Sequence, residues 1–239
     1  MSSPFPPTPS PPPAPPAPPA ASTFRRAGSS RGAWLVLLAV TLSTLALDLW
    51  TKSWAFATVA GRPVAVDREQ VLAIARVDPT RIGHVLPEHD PVVVIPRVLE
   101  FTLVLNSGAV FGMGPGQRWY FMSFTAAALV FALVLFARWT RAGDWPSHAA
   151  VGMLISGGLG NFYDRIVFGC VRDFIHPLPG VKWPFGWRPL GGTGELWPYV
   201  SNVADAFLLI GIAILAWRLW RHDPARPSAE PTAPAPGAR

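Results

Sequence analysis

From Ser156 to Phe174 the chain reads SGGLGNFYDRIVFGCVRDF, which sets Asp164, Arg165, Arg172 and Asp173 in or beside a segment apolar enough to enter a membrane. A charged group in hydrocarbon costs about 2.5–3.5 kcal/mol on insertion scales, so such residues face a polar interior and mark a functional site. No other feature limits the fold so strongly. Four segments, Trp34–Trp54, Trp119–Trp139, His148–Val167 and Tyr199–Trp220, approach the length at which about 20 apolar residues cross about 30 Å of hydrocarbon. Tryptophans stand at the ends of three of them, the level amphipathic rings prefer. With 50% apolar and only 14% charged residues, the composition excludes an ordinary soluble domain. The expected fold is an α-helical membrane protein with four transmembrane helices.

The formal charge of +6 could suggest nucleic acid, but its distribution points to membrane orientation instead. The N-terminal stretch before Trp34, the link 138–147 and the C-terminal stretch from Arg218 hold nine basic residues against Asp144, Asp223 and Glu230. Residues 55–118 hold six of each sign, and residues 168–198 hold three basic against two acidic. Basic residues beside short loops mark the cytoplasmic side, so both termini are expected inside and the two longer connections outside. No nucleic-acid partner is expected. Cys170 is the only cysteine and cannot form an intramolecular disulfide; beside an apolar helix end it reads as a small packing residue. The first apolar segment carries Asp48 and Lys52 where a signal peptide would have a small-residue cleavage site, so it is expected to remain as an anchor.

Residues 1–33 are rich in proline, alanine and serine and are expected to be a disordered cytoplasmic tail, as are residues 221–239. The intervening 34–220 form the membrane domain, with an external insertion and sheet over about 57–117. On the first helix Asp48 and Lys52 lie four apart on one face near its outer end, a spacing that suits a structural ion pair. The polar stretch from Gly61 to Pro91 has several prolines and no sustained periodicity, and reads as a loop. Val92–Ile95 and Val98–Leu105 are β-branched runs broken at Pro96, which predicts a small external sheet before the second helix, with Leu99, Phe101, Leu103 and Leu105 on one face. The Asn-Ser-Gly at Asn106 reads as a turn whose amide could also hold a peptide carbonyl.

On the third helix Gly152, Ser156 and Gly160 recur every four residues, the small-residue seam that lets membrane helices approach closely. Asn161 and Arg165 share a face near its outer end, and Asp164 is expected to pair locally with Arg165. The connection from Gly169 to Pro198 reads as an aromatic-rich loop resting at the interface. The fourth helix is expected to begin near Tyr199, with Asn202 and Asp205 on one face and Asp205 roughly 9 Å below the start.

Asp173 thus follows the outward end of the third helix and Asp205 the outward start of the fourth, and Asp48, Lys52, Asn106, Asn161 and Arg165 fall near the same leaflet. Two carboxyls a few Å apart cannot both ionise, so such a pair keeps one proton between them and can serve amide hydrolysis by acid and base in turn. Spacing alone leaves three readings open: hydrolysis, a proton or ion path of a transporter, and a structural polar network in which Asp173 and Asp205 pair with Arg172 and Arg165. Metal chemistry is disfavoured because Pro87, between His84 and His89, spoils a helical ligand geometry. A serine triad is disfavoured because His148 belongs at the far end of its helix.

These residues fall in four ordered blocks, DLWTK from Asp48, NSGAVFG from Asn106, GNFYDRIVFGCVRDFI from Gly160 and NVADAFLLIG from Asn202. In that order and spacing the chain, over roughly 34–220, closely resembles the lipoprotein signal peptidases, the type II signal peptidases of bacteria. The resemblance implies an aspartic endopeptidase of the bacterial plasma (inner) membrane that removes signal peptides from prolipoproteins, cleaving before a diacylglyceryl-modified cysteine. It implies Asp173 and Asp205 as the catalytic pair, Asn106, Asn161, Arg165 and Asn202 as substrate-orienting groups, and Asp48 and Lys52, with Asp164, as structural polar groups. It implies diacylglyceryl-modified prolipoproteins and membrane lipid as partners and no metal or cofactor; a monomer is expected, with an active site near the outer leaflet. Three features depart from the family pattern: the long proline-rich leader with the 61–94 insertion, the extended loop between the two aspartates, and Arg172 where an apolar residue is common. Arg172 is expected to point away from Asp173.

Overall fold

The computed structural model describes residues 25–108, 118–188 and 194–221. Among these residues five α-helices and one sheet are formed: α1 (Arg31–Thr58), α2 (Arg68–Val77), α3 (Arg118–Trp139), α4 (Trp145–Val167) and α5 (Val203–Arg221), with strands β1 (Val92–Ile95), β2 (Leu99–Asn106) and β3 (Val171–Pro177). By length and composition, α1, α5 and the stretch Trp119–Trp139 of α3 can cross a membrane. The fourth long helix, α4, packs against α1, α3 and α5 and forms the centre of the bundle.

The seam read from sequence is where α4 meets α1. A Cβ on Gly152 would sit 3.1 Å from the Leu37 carbonyl oxygen, and one on Gly160 would collide with the Asp48 carboxylate. Between them Thr44 donates to Ser156 Oγ at 2.6 Å. A second close approach joins α4 to α5, because a Cβ on Gly157 would lie 2.6 Å from the Ala204 carbonyl oxygen. Without a hydrophobic force between helices in lipid, such small-residue contacts are what bring the polar ends of three helices together.

The sheet is antiparallel in the order β1-β2-β3. Its first two strands match the sequence reading, but the third, Val171–Pro177, follows α4, so the sheet does not wholly precede the second long helix. The 61–91 stretch is not a plain loop either. Asp67 caps α2 by accepting from the Gln70 N–H at 2.8 Å, and Asp78 caps a following 3-10 turn, Pro79–Val85. Val71 and Ile82 from these elements join Phe56, Leu103, Leu105, Cys170 and Phe174 in an outer core beneath the sheet. A fully buried side chain of this kind contributes about 1.5–3 kcal/mol, enough to hold a ten-residue helix that would not persist alone.

Two boundaries shift. At the N-terminus the chain is already folded by Arg26, where a bridge to Arg141 and a 3-10 turn precede α1, so the packed part starts before residue 34. The last long helix starts at Val203 rather than Tyr199, because Ser201 is drawn into a backbone bridge with Ile175 of β3. The expected disorder of residues 1–24 and 222–239 lies outside the described residues.

Gly157→Ala is expected to force α4 and α5 apart, since the obstructing atom is backbone, and to lower stability in detergent by about 1–3 kcal/mol. A thermal unfolding midpoint equal to that of the parent chain would contradict the close contact.

Candidate active site

Asp205 lies in the first turn of α5, not deeper in the helix, and the cap of that helix builds half of the site. Asn202 Oδ1 accepts from the Asp205 N–H at 3.2 Å while Asp205 Oδ2 accepts from the Asn202 N–H at 3.2 Å, a reciprocal capping box. A carboxylate in this position also meets the positive end of the helix dipole. Asp205 Oδ1 accepts from Asn161 Nδ2 of α4 at 2.8 Å.

Asp173 comes from β3. The Ser201–Ile175 bridge pins the residue before Asn202 to the strand two residues after Asp173, with Ser201 N–H donating to the Ile175 carbonyl at 2.8 Å and Ile175 N–H returning the bond at 2.8 Å. Asn202 Nδ2 then donates to Asp173 Oδ1 at 2.6 Å. From β2, Asn106 Nδ2 donates to Asp173 Oδ2 at 3.1 Å, its orientation set because Asn106 Oδ1 already accepts from the Gly108 N–H at 2.8 Å. Asp173 is 1% exposed and Asp205 is half-buried. Burial first, and then the charge of nearby Asp205, push the Asp173 carboxyl up to about 6, against the hydrogen bonds from Asn202 and Asn106.

Beneath the two carboxyls sits a closed set of charges. Lys52, wholly buried, reaches Asp48 at 2.9 Å, Asp164 at 3.3 Å and Asn161 Oδ1 at 3.1 Å. Because Lys52 can only donate, it fixes which end of the Asn161 amide faces it and so turns Nδ2 toward Asp205. Asp48 also accepts from the Ala204 N–H at the start of α5 at 2.8 Å. Asp164 does not pair with Arg165 as expected. Successive helix residues point in different directions, and Asp164 faces inward, where its second partner is Arg172 at 2.9 Å. Arg172 does point away from Asp173, because neighbours on a strand occupy opposite faces; its guanidinium lies over the Phe168 ring at 4.0 Å. Arg165 donates to the Asn161 carbonyl at 3.1 Å and is within electrostatic reach of Asp173, Asp205 and, without a direct ion pair, Asp164.

The structure therefore gathers Asp48, Lys52, Asn106, Asn161, Asp164, Arg165, Asp173, Asn202 and Asp205 at one end of the bundle. Cys170 is buried in the outer core, its thiol pushed up to about 12 by burial and then by Asp164, which suits packing and not nucleophilic attack. His89 is a strut: its ring lies 3.0 Å from the Pro87 carbonyl and accepts from the Leu103 N–H at 2.9 Å. Sequence reading missed Ser201, whose backbone sets the spacing of the two aspartates, and Arg172 as the partner of Asp164.

The profile described as signal peptidase (SPase) II matches residues 40–221. The chain belongs to the signal peptidase II family. It is thus a membrane-embedded bacterial peptidase. The lipoprotein signal peptidase of Desulfitobacterium hafniense (strain DSM 10664 / DCB-2) is 32% identical over 127 residues, covering 53% of this chain and 72% of its own. That of Halothermothrix orenii is 34% identical over 130 residues, covering 54% and 76%. A bacterial membrane enzyme structure obtained in meso at 2.3 Å resolution shares the fold, with a TM-score of 0.56 at 24% identity over 81% of this chain and 93% of that one. The aligned span of the signal peptidase II profile includes every residue of the polar cluster.

Removing the ammonium at the centre of this cluster leaves two buried carboxyls without their shared counter-charge. Lys52→Met is expected to cost about 3–5 kcal/mol of stability, with partial recovery in Lys52→Met/Asp48→Asn, read by thermal unfolding in detergent. Equal midpoints for the parent chain and Lys52→Met would show that the ammonium is not the tie between α1 and α4.

Proposed function

We propose that this signal peptidase II is an aspartic endopeptidase that removes signal peptides from prolipoproteins, cleaving before a diacylglyceryl-modified cysteine, with Asp173 and Asp205 as its catalytic pair. The observation that carries the reading is that one residue, Asn202, hydrogen-bonds both carboxylates, so a strand after α4 and the first turn of α5 present them side by side. Related chains of about one-third identity bear the name lipoprotein signal peptidase, which supplies the substrate class.

In this mechanism the pair holds one proton. Asp173, the more buried carboxyl, keeps it, and the ionised Asp205 takes a proton from a water molecule as the water oxygen attacks the scissile carbonyl carbon. Asp173 gives its proton to the carbonyl oxygen, so a neutral gem-diol forms with the pair again holding one proton. On collapse the C–N bond breaks, the leaving nitrogen takes the proton from Asp205, and a diol hydroxyl returns one to Asp173. Arg165 and the amides of Asn106 and Asn161 orient the peptide backbone. The titration belongs to the pair as a unit.

For the topology, we take α4 as the fourth span: its 23 residues rise about 34 Å, and its Asp164 is matched by Lys52 and Arg172 inside the bundle. Both termini then face the cytoplasm of a bacterial inner membrane, and the carboxyl pair lies near the outer leaflet. The transporter alternative draws on the same buried charges, yet below Gly160 the α1–α4 seam is closed by the Thr44–Ser156 and Gly152 contacts.

Asp173→Asn and Asp205→Asn are each expected to reduce cleavage of a diacylglyceryl-modified precursor by purified protein by at least about 10³-fold while the fold persists. Proton flux in liposomes without cleavage would sink the peptidase reading. For pH, the sign follows from the need for one proton: as pH rises through the Asp173 value of about 6, the pair loses it and the rate falls. The alkaline limb of kcat/KM is expected near that value, and that of kcat at higher pH because bound peptide excludes more water. A kcat/KM that is flat from about pH 5 to pH 8 would contradict a shared proton.

A further inference from the structure

At the end of the bundle opposite the carboxyl pair, α3, α4 and α5 leave a cleft with two distinct limbs. Its outer limb, about 470 Å³, is lined by Trp139, Arg141, Asp144, Ser147 and Arg218, with Leu135 and Leu215 at its floor. The same Leu135 and Leu215 begin the inner limb, about 390 Å³, whose other walls include Leu129, Ala132, Val151 and Leu208. A polar mouth therefore continues directly into an apolar channel running toward the middle of the bundle.

The mouth is positive. Arg141 and Arg218 line it together with one carboxylate, Asp144, which accepts from Arg218 Nη2 at 2.7 Å and from Ser147 Oγ at 2.7 Å. Burial would raise the Asp144 carboxyl, but the bonds from Ser147 and Arg218 outweigh it and hold the group below its usual range, so it stays ionised. Arg218 Nε is buried in the same wall and meets no acceptor among the described residues. The N-terminal segment adds to the field: Ala27 N–H donates to the Thr140 carbonyl at 3.0 Å and Ala142 N–H to the Arg25 carbonyl at 2.8 Å, which brings Arg25 and Arg26 to this end. Among the described residues, Asp144 is the one acidic group there.

We propose that this cleft binds one anionic glycerophospholipid, its phosphate at Arg218 and Arg141 and one acyl chain along Leu135 and Leu215 into the inner limb. An apolar helix would fit the inner limb but would bring no anion to the positive mouth, where the buried Arg218 Nε has no acceptor among the described residues. A free phosphate would satisfy the mouth and leave the apolar limb exposed. A lipid with a charged head fits both, and Trp139 stands where an indole meets the headgroup layer. Under the topology proposed above this is the cytoplasmic leaflet, although the binding itself does not depend on the peptidase reading.

The test uses the full chain purified in detergent, with lipid retention measured by native mass spectrometry and by thermal shift. Phosphatidylglycerol is expected to be retained at one molecule per chain, about fivefold more than phosphatidylcholine of the same acyl length. Arg218→Gln should abolish the preference between headgroups, and Leu215→Trp, which fills the inner limb at the floor it shares with the mouth and leaves every charged side chain in place, should reduce retention of both lipids. Because Arg218→Gln also removes a bond to Asp144, Arg141→Gln serves as a second variant of the mouth, and size-exclusion profiles check folding. Equal retention of the two lipids overturns the proposal, as does retention unchanged in Leu215→Trp. A thermal shift from inorganic phosphate alone equal to that from phosphatidylglycerol would also overturn it. So would a full chain that retains no lipid until residues 222–239 are removed, since the tail would then be the occupant.

Discussion

A buried ammonium decides the shape of the polar end of this protein. Lys52 Nζ has three acceptors, from α1 and α4, and each is committed elsewhere: Asp48 to the start of α5, Asp164 to Arg172 of β3, and Asn161 to Asp205 and Asn202. A charge withdrawn from water must be compensated locally, since the effective penalty is several kcal/mol per ion. That requirement, met by one side chain, ties together all the elements that carry the two aspartates. The close α1–α4 seam at Gly152, Ser156 and Gly160 brings Lys52 within reach of Asp164, so small residues in the middle of the bundle and ions at its end form one device.

The aspartates are positioned by ordinary secondary-structure chemistry. Asp205 is the acidic partner of a capping box, and Asp173 is a strand residue whose neighbour must face the other way. Neither needs a special backbone conformation. The one unusual step is the Ser201–Ile175 bridge, which shortens α5 by about a turn at its start and leaves Asn202 free to face β3. The amide of Asn202 then uses Oδ1 within its own helix cap and Nδ2 across to Asp173. A residue so fully bonded holds the two carboxyls at a fixed separation.

Much of this was legible before any coordinates. Asp48 and Lys52 announce their pairing by spacing, the glycine seam announces a close helix contact, and the alternation from Leu99 to Leu105 announces β2. The α2 helix escaped because four prolines across Gly61–Pro91 suggested a loop, although Asp67 and Gln70 carry a capping-box spacing that could have revealed it. Strand β3 escaped because charges at Arg172, Asp173 and His176 hide its alternation. The partner of Asp164 could not be read locally: Arg165 is adjacent in sequence, but the direction of a side chain from a helix is set by what packs there, and only the fold brings Arg172 round the turn at Gly169.

The charges of the cluster bear on how many protons the proposed catalytic pair holds. Four carboxyls, Asp48, Asp164, Asp173 and Asp205, meet three cations, Lys52, Arg165 and Arg172. The Asp48, Lys52, Asp164 and Arg172 set is neutral by itself, which leaves Arg165 facing Asp173 and Asp205. With both of these ionised the cluster carries one net negative charge in a poorly solvated site; with both protonated it carries one positive. Only a single shared proton makes the whole set neutral, and low dielectric penalises any departure. The scaffold ions thus do more than hold helices together. By cancelling one another they leave the choice of proton count to Arg165 and the pair, and the state they favour is the one that acid and base catalysis by two carboxyls requires.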